Sequence, residues 1–157
     1  NKEFNLLETR VVGRASESDY LIISNGSKDG IRKGMPLINS SKSLVGEVVT
    51  VLDNFAHVKL ISNNETSFDG RILDKEDSLG VLEGGDRLTL EMIDRAVDIE
   101  EGDMVVTHPG GGIYPGGIFI GEIREVIRED AETFQSAVIE PGFNPKDFQI
   151  LFVITDF

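Results

Sequence analysis

No cysteine and no tryptophan occur among the 157 residues, and histidine appears only twice. Without cysteine there is no disulfide framework, no thiol nucleophile and no thiolate-bound metal, which removes several enzyme classes at once. Basic residues are scarce as well: 15 Lys and Arg stand against 28 Asp and Glu, a formal net charge of 15 − 28 = −13. Phosphate recognition needs clustered cations, so this balance argues against a nucleic-acid binder and disfavours an unaided anionic membrane surface. The longest apolar run, Ile150 to Ile154, falls far short of the ~20 residues that cross a bilayer, and no basic segment followed by an apolar one marks a leader.

Glycine is plentiful instead, 17 of 157 residues, above its average of roughly 7%, and Val, Ile, Thr and Phe are frequent. A chain of this length suits one compact domain or two small lobes and buries roughly 70% of its unfolded surface. Short apolar and β-branched segments recur between turn signals: 20–23, 44–51, 56–61, 87–92, 104–107, 118–127, 133–139 and 149–154. Several alternate with period two, which reads as strands half buried in small closed sheets. Turns are supplied by Asn25-Gly26, Asp29-Gly30, Asp69-Gly70, Gly84-Gly85-Asp86, the Pro109 to Gly117 stretch and Pro141-Gly142. Ile31 to Lys33 and Ile93 to Ala96 could each form one helical turn, and nothing supports a longer helix. The expected fold class is all-β with little helix.

A repeat organises these segments. Ile31-Arg32-Lys33-Gly34-Met35-Pro36-Leu37-Ile38 is answered by Ile99-Glu100-Glu101-Gly102-Asp103-Met104-Val105-Val106, and Leu44-Val45-Gly46-Glu47 by Phe119-Ile120-Gly121-Glu122. The offsets are 102 − 34 = 68 and 121 − 46 = 75. Two similar small lobes follow, because a β-lobe that small must curl on itself to leave few open edges. Charge is uneven along the chain: residues 1–78 carry 10 basic and 12 acidic side chains (net −2), residues 79–157 carry 5 and 16 (net −11).

A Ser/His/acid hydrolase is the first enzyme to test on such a scaffold. His57 lies in an alternating strand and His108 precedes a glycine loop; neither stands beside a nucleophile signature, and no Gly-x-Ser-x-Gly elbow occurs. Asp98, Glu100, Glu101 and Asp103 lack the oxygen order of a calcium loop, and two histidines without cysteine or close spacing do not make a zinc site. A solvated acidic turn is the favoured reading. Pro109 to Gly117 lacks the Gly-Lys-Ser/Thr ending of a phosphate cradle and no helix follows it. Its Ile113-Tyr114 pair either plugs a lobe end or forms an interaction surface. Asn25-Gly26-Ser27 and Asn64-Glu65-Thr66 match a glycosylation sequon, which means nothing outside a eukaryotic secretory route. No catalytic, metal or cofactor residues are expected.

The words of the repeat also form a family pattern. Gly26-Ser27-Lys28-Asp29-Gly30-Ile31-Arg32-Lys33-Gly34-Met35-Pro36, Leu44-Val45-Gly46-Glu47-Val48, Gly80-Val81-Leu82-Glu83-Gly84, Gly102-Asp103-Met104-Val105-Val106-Thr107 and Tyr114-Pro115-Gly116-Gly117-Ile118-Phe119-Ile120-Gly121 resemble, in order, the extracytoplasmic β-domain of the MreC family of rod shape-determining proteins. Arg10 to Arg14 resembles that family's opening strand, and Ile139-Glu140-Pro141 with Phe143, Phe148 and Val153 its closing segment. Where the family usually carries Ser-Gly-Leu, this chain has His108-Pro109-Gly110.

The resemblance implies a non-enzymatic scaffold of the elongation machinery that builds side-wall peptidoglycan, with two small barrels side by side. Residues 1–9 would be a linker remnant after a coiled coil absent from this sequence. Residues 10–157 would be the β-domain, with lobes near 20–80 and 81–157 and the strand at 10–14 open to sharing. The implied partners are the class B penicillin-binding transpeptidase, MreD, RodZ, RodA and the MreB filament, the last indirect or through an absent cytoplasmic tail, plus self-association. The implied location is outside the cytoplasm, anchored in the cell membrane by an absent N-terminal helix. Partner contacts are expected at Ile113, Tyr114 and Phe119, because a partly exposed apolar patch is the commonest interface anchor. The competing classes are a two-barrel hydrolase and the adaptor barrel of an export system.

Overall fold

The computed structural model describes residues 4–15, 19–111 and 114–156. Twelve strands make up nearly all of its regular structure: β1 (Asn5–Arg14), β2 (Tyr20–Ile23), β3 (Pro36–Ile38), β4 (Leu44–Val51), β5 (Ala56–Leu60), β6 (Ser67–Ile72), β7 (Gly80–Glu83), β8 (Leu88–Asp94), β9 (Met104–Thr107), β10 (Phe119–Ile127), β11 (Phe134–Pro141) and β12 (Ile150–Asp156). Two 3₁₀ turns, Ser27–Asp29 and Pro109–Gly111, are the helical pieces among the described residues. The strands close into two antiparallel barrels of six, β1-β12-β3-β4-β5-β2 and β10-β11-β8-β7-β6-β9. Closure leaves no open edge, which is how lobes this small keep their backbone groups paired.

Alternation drives each strand into its barrel. In β5, Ala56, Val58 and Leu60 point inward and are buried while His57 and Lys59 stay half exposed. The first core gathers Leu37, Val48, Val58 and Val153, all fully buried; the second gathers Leu82, Leu90, Val105 and Ile120, also fully buried. Each such side chain contributes about 1.5–3 kcal/mol by leaving water.

The repeat is structural as well as verbal. Replacing β12, β1, β2, β3, β4 and β5 by β6, β7, β8, β9, β10 and β11 turns the strand order of the first barrel into that of the second. Register agrees: Leu37 pairs with Gly46 as Val105 pairs with Gly121, and the bulge between Val48 and Thr50 has its counterpart between Ile123 and Glu125. The chain differs only in when it supplies one strand. The second barrel receives its β6 first, whereas the first barrel waits for β12, and the whole second unit is inserted between β5 and β12.

Lobe boundaries therefore depart from the sequence expectation. One unit comprises Asn1–Asn63 with Phe143–Phe157, the other Asn64–Gly142, in place of a division near residue 80. Segment 64–80 holds β6, whose partners β7 and β9 lie in the second barrel, and the C-terminal strand pairs with β1 and β3 of the first. Residues 5–9 are part of β1, paired with 151–156, and not a linker. The strand at 10–14 belongs to the first barrel alone, where it pairs with β12 and β2. Asp69-Gly70, expected as a turn, lies inside β6, where Gly70 gives room to Leu90 Cδ1, 3.4 Å from where a Cβ would stand. Segment 31–33 is not helical, the helical turn falling at Ser27–Asp29, and Ile93 and Asp94 are the last residues of β8 in place of a helical turn at 93–96.

The units also separate the charge. The first holds 9 basic and 9 acidic residues, 9 − 9 = 0, and the second 6 and 19, 6 − 19 = −13. The sequence-stretch count of −2 against −11 sharpens once β6 and β12 are assigned to their barrels.

Candidate functional site

Neither histidine stands in catalytic company. His57 lies on the outer face of β5 between Ile22 and Thr50. His108 follows β9, and its Nδ1 is buried without a hydrogen-bond partner among the described residues. A nucleophile activated by an imidazole needs a hydrogen bond to it, and the Nδ1 of His108 makes none among the described residues.

The acidic turn after β8 is an internally bonded turn. Asp103 Oδ2 accepts from the Glu100 N–H at 3.0 Å and from Lys75 Nζ at 3.1 Å, and Lys75 also donates to the Asp98 carbonyl. Among the described residues no group of three or more carboxylate or imidazole side chains is placed to hold a metal ion. A comparable turn in the first barrel is closed by Asp29, whose carboxylate accepts from the Gly26 N–H at 3.2 Å. Hydrogen bonds from the Asn25 side chain and the Gly26 backbone hold Asp29 below its ordinary range, against a smaller opposing effect of burial.

The loop after β9 is pinned by one residue. Thr107 is fully buried; its Oγ1 donates to the Pro115 carbonyl at 2.7 Å and accepts from the Ile118 N–H at 2.9 Å. Of the three expected contact residues, Ile113 lies outside the described residues. Tyr114 is 6% exposed, its ring edge-on to Phe68 at 4.9 Å and 89°. Both rings are buried, so the Tyr114 ring is not the partly exposed anchor expected of it. Phe119 opens β10 half-buried, beside the inward-facing Ile120.

Sequence reasoning missed a buried polar knot. Gln135, 2% exposed, donates to the Asp94 and Val97 carbonyls at 3.0 and 2.7 Å and accepts from Arg128 Nε at 2.7 Å, while Arg128 reaches the Ile99 carbonyl at 3.2 Å. A lone glutamine in an apolar strand was its only signal. Each barrel also carries a surface groove. In the first, about 290 Å³ is bounded by Val12, Arg14, Lys146 and Phe148, with the Arg14 guanidinium 5.5 Å over the Phe148 ring. In the second, about 240 Å³ is bounded by Met92, Phe134, Ile127, Glu91, Glu129 and Glu132.

Comparison with known proteins bears on this architecture. The family model for the barrel core of the rod shape-determining protein MreC matches residues 11–155. The chain belongs to the MreC family. The cell shape-determining protein MreC of Listeria monocytogenes is 29% identical over 161 residues, covering 98% of this chain and 54% of the relative. The chain thus spans about half the length of that relative. A solved MreC structure from the same genus superposes with a TM-score of 0.88 over 97% of this chain and 76% of its own. Two more distant structures share the fold. One is the major periplasmic domain of the cell shape-determining filament MreC (20% identity, all of each chain, TM-score 0.83). The other is MreC in a complex with the penicillin-binding protein PBP2 from Helicobacter pylori (19% identity, 98% of this chain and 100% of that one, TM-score 0.73).

The Pro109 ring occupies the space over Gly116, where an added Cβ would stand 2.8 Å from its Cδ. Proline and glycine fit each other across the loop.

Proposed function

We propose that this chain is a binding scaffold of the wall-elongation machinery, working outside the cytoplasm and performing no bond-making chemistry of its own. One observation carries the reading: the MreC barrel-core match over residues 11–155, in a family one of whose members was solved bound to a penicillin-binding protein. The enclosed barrels and pinned loops support it, since a rigid surface favours one state of a partner without reacting. Cell-shape control follows if the scaffold holds a class B transpeptidase in its active arrangement. MreD, RodZ, RodA, MreB and self-association belong to the same reading, as contacts of a longer protein.

Phe119 offers the contact ring where β10 leaves the loop after β9, Tyr114 supports that loop from the core, and Ile113 belongs to the same reading as a contact expected from the sequence. Co-purification with the transpeptidase ectodomain of the same organism tests this. The intact chain is expected to retain the ectodomain, and Phe119→Asp to weaken retention by about tenfold with an unchanged melting temperature. Absence of binding by the intact chain would sink the scaffold reading.

A further inference from the structure

The second-barrel groove has a feature that barrel closure does not require. Between the pairs Gln135–Ile93 and Ala137–Leu90, β8 spends two residues, Glu91 and Met92, against Ser136 alone. Met92 takes φ 61°, a left-handed conformation that a side chain with Cβ rarely adopts. The bulge turns Met92 out to 54% exposure on the groove that Phe134, 43% exposed, also lines. Bulges commonly re-aim side chains at working surfaces, and methionine is the side chain that adapts to varied apolar partners.

Charge specifies the occupant. The Glu91, Glu129 and Glu132 carboxylates on the rim make no ion pair or side-chain hydrogen bond among the described residues. Two cations are close by: Arg95 donates to the Glu129 and Glu132 carbonyls, and Arg128, which precedes Glu129, donates to the Gln135 side chain and the Ile99 carbonyl, so neither pairs with a rim carboxylate. Around them the unit carries 6 basic and 19 acidic residues, while the other is neutral. The volume, about 240 Å³, is below the roughly 300–1,000 Å³ of small-molecule sites and suits one or two side chains of a peptide.

We propose that the Met92–Phe134 groove is a docking site for a polypeptide segment of a partner protein that presents an apolar side chain flanked by lysine or arginine. The apolar side chain packs between Met92 and Phe134, and the flanking cations face Glu91, Glu129 and Glu132. This site is separate from the Phe119 surface and does not depend on the transpeptidase reading.

Titration calorimetry at low salt with a short blocked peptide alternating lysine with leucine, and with one alternating lysine with serine, tests it on the intact chain. Preference for the leucine peptide by about tenfold is expected, and its loss in Met92→Gly. Glycine relieves the left-handed strain, so Met92→Gly should melt no lower than the parent, and lost binding cannot be blamed on unfolding. Glu129→Gln/Glu132→Gln should weaken the leucine peptide at low salt and matter less at high salt. Equal binding of the two peptides, indifference to Met92→Gly, or no binding would each overturn the proposal. The first would leave only non-specific attraction to an acidic barrel.

Discussion

Gly34 donates its N–H to the Val48 carbonyl at 2.8 Å, and Gly102 donates to the Ile123 carbonyl at the same length. The return bonds match too, from the Val48 N–H to Met35 and from the Ile123 N–H to Asp103, at 2.9 and 2.8 Å. Both glycines have positive φ, 94° and 91°, because the chain must reverse into β3 and β9 while keeping these bonds. One turn is thus built twice, and its chemistry yields the first prediction.

Gly34→Ala and Gly102→Ala should each cost about 1 kcal/mol, a backbone cost alone, because a Cβ there meets nothing within 4 Å. Asparagine, which tolerates the left-handed region, should cost less at either position. Urea unfolding of the four variants checks this, and equal losses for alanine and asparagine would contradict it.

Gly46 and Gly121 present the opposite situation. An added Cβ would press on the Lys59 carbonyl at Gly46 and on the Glu140 carbonyl at Gly121, both well under 3.0 Å. Neither strand can move without opening a barrel ladder, so alanine at either site should cost about 3 kcal/mol. Chemical denaturation should rank these two variants below the Gly34 and Gly102 variants.

Gln135→Leu removes three hydrogen bonds at once and leaves the Val97 carbonyl without its side-chain donor, while the Asp94 carbonyl keeps the Val97 N–H at 3.0 Å. A loss of about 2–3 kcal/mol is expected, with faster amide exchange in residues 94–99, which the side chain holds to β11. Unchanged exchange there would show that the turn stands without it.

Tyr114→Ala should act on stability, losing about 3 kcal/mol as the ring against Phe68 is replaced by a cavity. Thermal melts of Tyr114→Ala and Phe119→Ala separate the roles: the first should melt well below the parent and the second close to it.

The depressed Asp29 carboxyl makes a pH-dependent contribution of definite sign. Its folded-state value is lowered, so the stabilisation is present above the ordinary aspartate value of about 3.9 and lost as pH falls through the folded value. The stability gap between the parent and Asp29→Asn should be constant near neutrality and shrink toward acid. A gap that widens on acidification would contradict the assignment.

Strand identity and the doubled plan were legible in the residues because both are set locally. Period-two alternation places Val58 inward and Lys59 outward, and a glycine word marks a turn wherever the backbone must take positive φ, as at Gly34 and Gly102. Alternation did not mark β1, β3, β6 or β7: β1 was expected only over 10–14 and from the resemblance, and the other three are short or carry Pro36, Gly70 and Gly80 where apolar alternation would be sought. Tertiary structure alone decided which strand completes which barrel: Leu6 pairs with Ile154 across nearly the whole chain, and no local pattern encodes so distant a partner. It likewise decided that Tyr114 is core and Met92 is surface, because burial depends on what the rest of the chain packs against a side chain. The concentration of the whole net charge in one barrel emerged for the same reason, once β6 and β12 had found their sheets.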